Sequence, residues 1–274
     1  MTDACDALAW VRSKLPYVER ARQDVQLDAD RVTAIGFSSG GHLAMTPAYT
    51  APERGLKPPG SVLAFYCPSN FEAEWWKSPI YPKNVHESPD TEYNLREGIH
   101  DTPVDSNPEL PDSILQIVGY TPSAAIGAPM TLKDPRWRIV IHYNWKAQIV
   151  PLLVNGLSTK ARGTANDADA NIADYLESLS MPPAKDIQAV SPYVQIIQGW
   201  YRTPIFLVHG DRDDLIPWEQ SRDSVEALVA QGIEAGFTAP HKAGHAFDLW
   251  PAEDTQGTGW AAVKRAVQSL LYYQ

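Results

Sequence analysis

The sequence has few cysteines, no excess of positive charge and no long apolar run, and each lack removes a class of function. Two cysteines, Cys5 and Cys67, cannot staple a small secreted domain, and no Asn-x-Ser/Thr sequon occurs. Lys and Arg number 23 against 33 Asp and Glu, a formal net charge of −10, so the basic face that nucleic acid or an anionic membrane needs is missing. No stretch is apolar for the length of a bilayer crossing, and no secretory h-region opens the chain. A reducing, cytoplasmic setting is expected. "GTGW" lacks the third glycine of a dinucleotide loop, and "DRDD" lacks the glycine and distal Glu of a calcium loop. With no His-Glu-x-x-His or paired-cysteine pattern either, neither metal nor cofactor is expected.

What is present is a chain of 274 residues, long enough for a substantial core, with nine Trp and twelve Tyr. Aromatics in that number suit an apolar ligand pocket. Residues 3–20 put Leu8, Val11, Leu15 and Val18 on one helical face. Three continuous apolar runs then read as buried strands: Arg31 to Phe37, Ser61 to Pro68 and Thr203 to Gly210. Two late amphipathic helices follow, one with Val225, Leu228 and Val229, the other with Trp260, Val263, Val267 and Leu270. Buried strands alternating with helices predict an α/β fold around a mostly parallel sheet flanked by helices.

Between Asn70 and Gly199 the strand signals stop. A connection of that length needs structure of its own. The expected organisation is a core over 1–69, a large, mostly helical cap over 70–199, and a second core part over 200–274.

The chemistry is concentrated in "AIGFSSGGHLAM". Gly36-Phe37-Ser38-Ser39-Gly40 has the G-x-S-x-G form of a nucleophile elbow, in which a serine on a sharp strand-to-helix turn projects its Oγ above the sheet. Ser38 is the nucleophile candidate, and the Ser39 N–H, at a helix N-terminus, suits a developing oxyanion. A serine needs a base, and the base a carboxylate, in the chain order Ser, acid, His for this fold. "HGDRDDLIPWEQS" offers Asp211, Asp213 and Asp214, and "HKAGHAF" offers His241 and His245. His209 and His42 read as packing residues.

Together "IGFSSGGHLA", "HGDRDDLIPWEQS" and "AGHAF" resemble the esterase/lipase branch of the α/β-hydrolases, near the hormone-sensitive-lipase-like enzymes. "FYCPSNFEAEWWKSPIYP" is similar to fungal members, some associated with secondary metabolism. The resemblance implies Asp213 as the acid and His245 as the base. It also implies a serine hydrolase of a carboxylic ester or thioester with a bulky apolar group. A small-molecule substrate of that kind is the expected partner, with Tyr66, Trp75, Trp76, Trp137 and Trp145 as pocket candidates. The alternative is a relative that binds or cyclises an apolar, polyketide-like ligand without hydrolysing it. Members of that branch also carry strands and a His-Gly-Gly loop ahead of the elbow, which this chain lacks. The expectation is therefore an N-terminally short sheet, from a truncated gene or chain, whose exposed edge favours a homo-oligomer. Such a chain lacks one oxyanion donor and would be a weak esterase.

Overall fold

The computed structural model describes residues 2–18, 27–79, 143–144, 146–156, 178–249 and 258–272. The chain divides into two compact units, Met1–Phe71 with Gln188–Gln274, and Glu72–Ile187. In chain order the helices are α1 (Thr2–Ser13), α2 (Leu15–Val18), α3 (Ser39–Met45), α4 (Pro47–Thr50), α5 (Ile149–Asn155), α6 (Ala184–Val190), α7 (Pro192–Ile197), α8 (Glu219–Ala230) and α9 (Thr258–Tyr272). The strands are β1 (Thr33–Phe37), β2 (Ser61–Phe65), β3 (Ile205–Val208) and β4 (Ala235–Thr238), all parallel and in the spatial order β1-β2-β3-β4.

Side chains alternate across this sheet and feed two cores. Val62 and Ala64 of β2, with Ile205 and Leu207 of β3, pack against Ala44 and Met45 of α3 and Leu228 of α8. Leu63, Phe65, Phe206 and Val208 face the other way, against Ala262 and Ala266 of α9. The buried face of α9 is thus built on alanines, which let the helix lie close to the strands, while Val267 is 48% exposed. Trp260 and Leu270 fall where side chains lie outside the described residues. Likewise Val225 and Leu228 of α8 are buried and Val229 is exposed, so the apolar face is one residue narrower than the spacing predicts.

β1 departs from the expected buried strand. Among the described residues it has one neighbour, β2, and its Ile35 and Phe37 are half-exposed. Both point to the α9 side of the sheet, where α9 packs on β2 and β3. The first helix breaks at Lys14 into α1 and α2, because Pro16 has no N–H for the carbonyl of Arg12. β4, "AGFT", carries only half-buried side chains and has no apolar run to announce it.

α3 is pressed hard onto β1 and β2. A Cβ on Gly36 would lie 2.0 Å from the Gly40 carbonyl oxygen, and one on Gly41 would lie 2.6 Å from the Cys67 Cβ. Gly40 itself has open space around the corresponding position. The crowding around Ser38 therefore falls at Gly36 and Gly41, and not at Gly40.

The two ends of the segment between β2 and β3 are tied together within the first unit. Ser191 Oγ donates to the Ser69 carbonyl (3.1 Å) and accepts from the Phe71 N–H (3.2 Å). The Tyr193 N–H donates to the same Ser69 carbonyl at 2.8 Å, and Gln220 Oε1 accepts from the N–H groups of Ser69 and Asn70. His42 on α3 adds a ring N–H donated to the Val190 carbonyl (2.8 Å) and an edge contact to Phe71. In the second unit the described residues form a short helical turn, Glu74–Trp76, and α5, with Trp76, Tyr143 and Val150 buried. No strand occurs among the unit's described residues; 80–142, 145 and 157–177 lie outside them.

Two outcomes follow from this packing. Gly36→Ala should cost at least about 2 kcal/mol in urea unfolding, because the neighbour that must move is backbone, whereas Gly40→Ala should stay within about 0.5 kcal/mol. Equal costs would show that elbow crowding does not depend on Gly36. Burial holds the His42 imidazole neutral and pushes its pKa down to about 4. The unfolded chain therefore takes up this proton first, and stability drains away as pH falls from about 6.5 towards 4, by on the order of 3 kcal/mol. Unfolding free energies of wild type and His42→Gln, measured across that window, should have different slopes, wild type losing stability more steeply as the pH drops. Parallel curves would assign the acid sensitivity elsewhere.

Candidate active site

The reactive geometry begins with a strained residue. Ser38, between β1 and α3, has φ 52° and ψ −125°, a conformation costly for any residue with a Cβ. It is held by its N–H to the Phe65 carbonyl (2.9 Å) and by its own carbonyl, which accepts from the N–H groups of Gly41 and His42. The Ser39 N–H has no hydrogen-bond partner among the described residues. It points out of the first turn of α3, as an anion-binding donor must.

The acid comes from the turn after β3. The Asp213 side chain is fully buried, and its Oδ1 accepts from the N–H groups of Leu215 (2.9 Å) and Ile216 (3.0 Å). Its Oδ2 accepts from His245 Nδ1 at 2.8 Å. Burial alone would push this carboxyl up. The His245 imidazole and the donors around it more than offset that and hold it well below the usual carboxylate range.

The base sits in the turn after β4. Donation from Nδ1 to Asp213 leaves the Nε2 lone pair of His245 facing Ser38 Oγ at 3.0 Å, so the hydroxyl donates to the imidazole. The acid and base turns lie in direct backbone contact. The Arg212 N–H donates to the Ala243 carbonyl (2.9 Å), and a Cβ on Gly210 would lie 2.2 Å from that same oxygen. Ser38, His245 and Asp213 thus form a continuous line of hydrogen bonds from three separate loops at one end of the sheet.

The rival candidates pair with each other. His241 Nδ1 donates to Asp211 Oδ2 at 2.7 Å, with His241 largely exposed, and Asp211 Oδ1 also accepts the Lys242 N–H. Asp214 is half-buried in the same turn. His209 does more than pack: its Nε2 lies 3.1 Å from Asp213 Oδ2. Tyr66, expected to line a pocket, is 2% exposed and has φ 36°. Its ring lies edge-on to His245, with centroids 4.7 Å apart, and its hydroxyl donates to Asp248 at 2.7 Å. Burial pushes both the Tyr66 hydroxyl and the Asp248 carboxyl up. Trp75 is half-buried and Trp76 buried in the second unit, and Trp137 and Trp145 lie outside the described residues.

The residues that sequence reasoning passed over are Asp248 and the contact made by His209. Asp248 stands one turn after His245 in "GHAFDL", a spacing that does signal a neighbour of the imidazole. Among the described residues no group of three or more His, Cys, Asp or Glu could hold a metal ion. No helix among them is long and apolar enough to cross a membrane.

Comparison with known proteins places this site in context. No family model matches the chain. It is 42% identical over 253 residues to the non-reducing polyketide synthase Preu3 of Preussia isomera, covering 91% of this chain and 9% of that protein. It is 42% identical over 272 residues to the 5-methylorsellinic acid synthase of Aspergillus terreus, covering 98% and 10%. Methylphloroacetophenone synthase of Cladonia uncialis is 39% identical over 270 residues, covering 97% and 10%. The chain spans about a tenth of the length of these curated relatives. Among solved structures, a propionate-bound esterase of Thermogutta terrifontis aligns with a TM-score of 0.41 at 17% identity, over 98% of this chain and 65% of that one. DphMB1 aligns with a TM-score of 0.47 at 15% identity, over 97% and 58%. The parallel sheet, with elbow, acid and His turns in that order along it, is an α/β-hydrolase fold, and its sequence is similar to a short stretch of fungal non-reducing polyketide synthases.

Proposed function

We propose that the chain transfers an acyl group from an ester or thioester through a covalent Ser38 intermediate. The observation that carries this reading is the unbroken line from Ser38 Oγ to His245 (3.0 Å) to Asp213 (2.8 Å). Ser38 Oγ attacks the carbonyl carbon while His245 Nε2 takes the hydroxyl proton. Asp213 stays ionised and stabilises the imidazolium that forms. The Ser39 N–H donates to the oxyanion. As the tetrahedral intermediate collapses, His245 returns the proton to the departing alcohol or thiol, and the acyl group remains on Ser38.

The similarity to polyketide synthases favours a bulky aryl or polyketide acyl group held as a thioester. It equally favours a second fate for the acyl-enzyme. Water activated by His245 would release a free acid. A nucleophile within the acyl chain itself would release a ring, with His245 removing its proton in the same way.

A fluorophosphonate probe should label the folded chain, and Ser38→Ala should abolish labelling. Labelling that persists in this variant would move the nucleophile. Asp213→Asn should lower turnover of a p-nitrophenyl ester by about 10⁴-fold, by analogy with the serine-protease triad, with the melting temperature nearly kept. A loss under tenfold would remove Asp213 from the acid role. A dihydroxybenzoyl N-acetylcysteamine thioester, which has no chain able to close a ring, should yield only the free acid. A matching poly-β-keto thioester should partition between acid and ring, and no product from either substrate would count against acyl transfer.

A further inference from the structure

His209 closes β3 with a side chain that is fully buried, and the surroundings of its two nitrogens decide where its proton sits. Nε2 lies 3.0 Å from the Ile216 carbonyl oxygen and 3.1 Å from Asp213 Oδ2. Both are acceptors without hydrogen, so Nε2 carries the proton, donates it to the Ile216 carbonyl and holds its positive edge beside Asp213 Oδ2. Nδ1 lies 2.8 Å from Ser221 Oγ and accepts that hydroxyl's hydrogen. His245 has the opposite tautomer, donating from Nδ1 to the same Asp213 oxygen. Two imidazoles of opposite tautomer therefore flank one carboxylate oxygen, while the second oxygen takes two backbone N–H groups.

We propose that His209, locked in its Nε2–H form by Ser221, is a positioning residue that holds Asp213 from the strand side and limits how strongly it can stabilise a protonated His245. The inference rests on the reading of Ser38, His245 and Asp213 as the reacting groups. A carboxylate oxygen that already faces one N–H offers less negative charge to a second. Taking the His209 donor away makes Asp213 more basic towards His245, so the His245 titration midpoint rises. It also frees Oδ2 to move, so the imidazole is aimed less well at Ser38. The other groups facing His245 are the Tyr66 ring, the Asp248 carboxyl, which is tied to the Tyr66 hydroxyl, and the Ser38 hydroxyl. The exposed Asp211–His241 pair stands in the adjoining turns. None of these changes when His209 is replaced.

The test is histidine 15N NMR on the full chain, which reads tautomers and midpoints with no substrate at all. In wild type at neutral pH, two buried imidazoles, His42 and His209, should carry their protons on Nε2, the His209 signal being the one lost in His209→Leu, and His245 should carry its proton on Nδ1. A proton on His209 Nδ1 overturns the proposal. His209→Leu should raise the His245 midpoint by roughly half a pH unit, about a threefold change in proton affinity. His209→Gln, whose amide can donate from near the Nε2 position, should restore most of it. Ser221→Ala should move the midpoint the same way by less, and it covers the case in which His209→Leu fails to fold. An unchanged midpoint in the folded variants overturns the proposal. Fluorophosphonate labelling rates should show the same upward displacement of the acid limb, with a lower rate constant and little change in probe affinity. If wild type shows the two tautomers and the midpoint moves, yet no probe labels Ser38, the positioning stands and the acyl-transfer reading fails.

Discussion

The close approach of α3 to β1 and β2 is the constraint on which the rest of the site depends. It is possible because Gly36 and Gly41 leave no side-chain atoms where two backbones meet. It forces Ser38 into a positive φ that its side chain does not favour, and that conformation stands the Oγ clear of the sheet. The strain persists because three backbone hydrogen bonds pin the residue and two cores flank the strands beneath it. Ser38 thus depends less on its immediate neighbours than on the seating of a whole helix.

The other two loops are placed by the same sheet. β3 and β4 are adjacent, so the turns that follow them emerge side by side, and the backbone of one rests on the other at Gly210 and Ala243. That contact brings Asp213 and His245 within one hydrogen bond, though 31 residues separate them along the chain. A single carboxylate then accepts from two backbone N–H groups and the His245 imidazole, with His209 Nε2 3.1 Å from the same oxygen. Its charge is kept in spite of full burial because three hydrogen bonds and a second imidazole stabilise it.

What the sequence made legible was whatever is local. The elbow could be read because its five residues fold against one another, and the strand runs because β2 and β3 are buried on both faces. β4 escaped notice because "AGFT" has no apolar run, and β1 was misjudged because burial depends on neighbours that a linear pattern does not reveal. The choice among Asp211, Asp213 and Asp214 was not decidable from composition. All three are polar turn residues; the motif resemblance points to Asp213, and the fold shows that Asp211 answers His241 while Asp213 answers His245. The contact of His209 with Asp213 was invisible for a similar reason. Four residues apart in an irregular turn, nothing in their spacing makes them meet.

The stitched ends of the segment between β2 and β3 have a consequence of a different kind. Ser69, Phe71, Ser191 and Tyr193 close that excursion at its base, within the first unit, whatever lies between. Once a loop is pinned at its neck, changing its length alters the closure entropy only slowly, by about 0.6 kcal/mol for each doubling. The entropy of closing the chain at that neck therefore depends only weakly on how many residues lie between. A change in their number is a small entropic term for the elements that carry Ser38, Asp213 and His245.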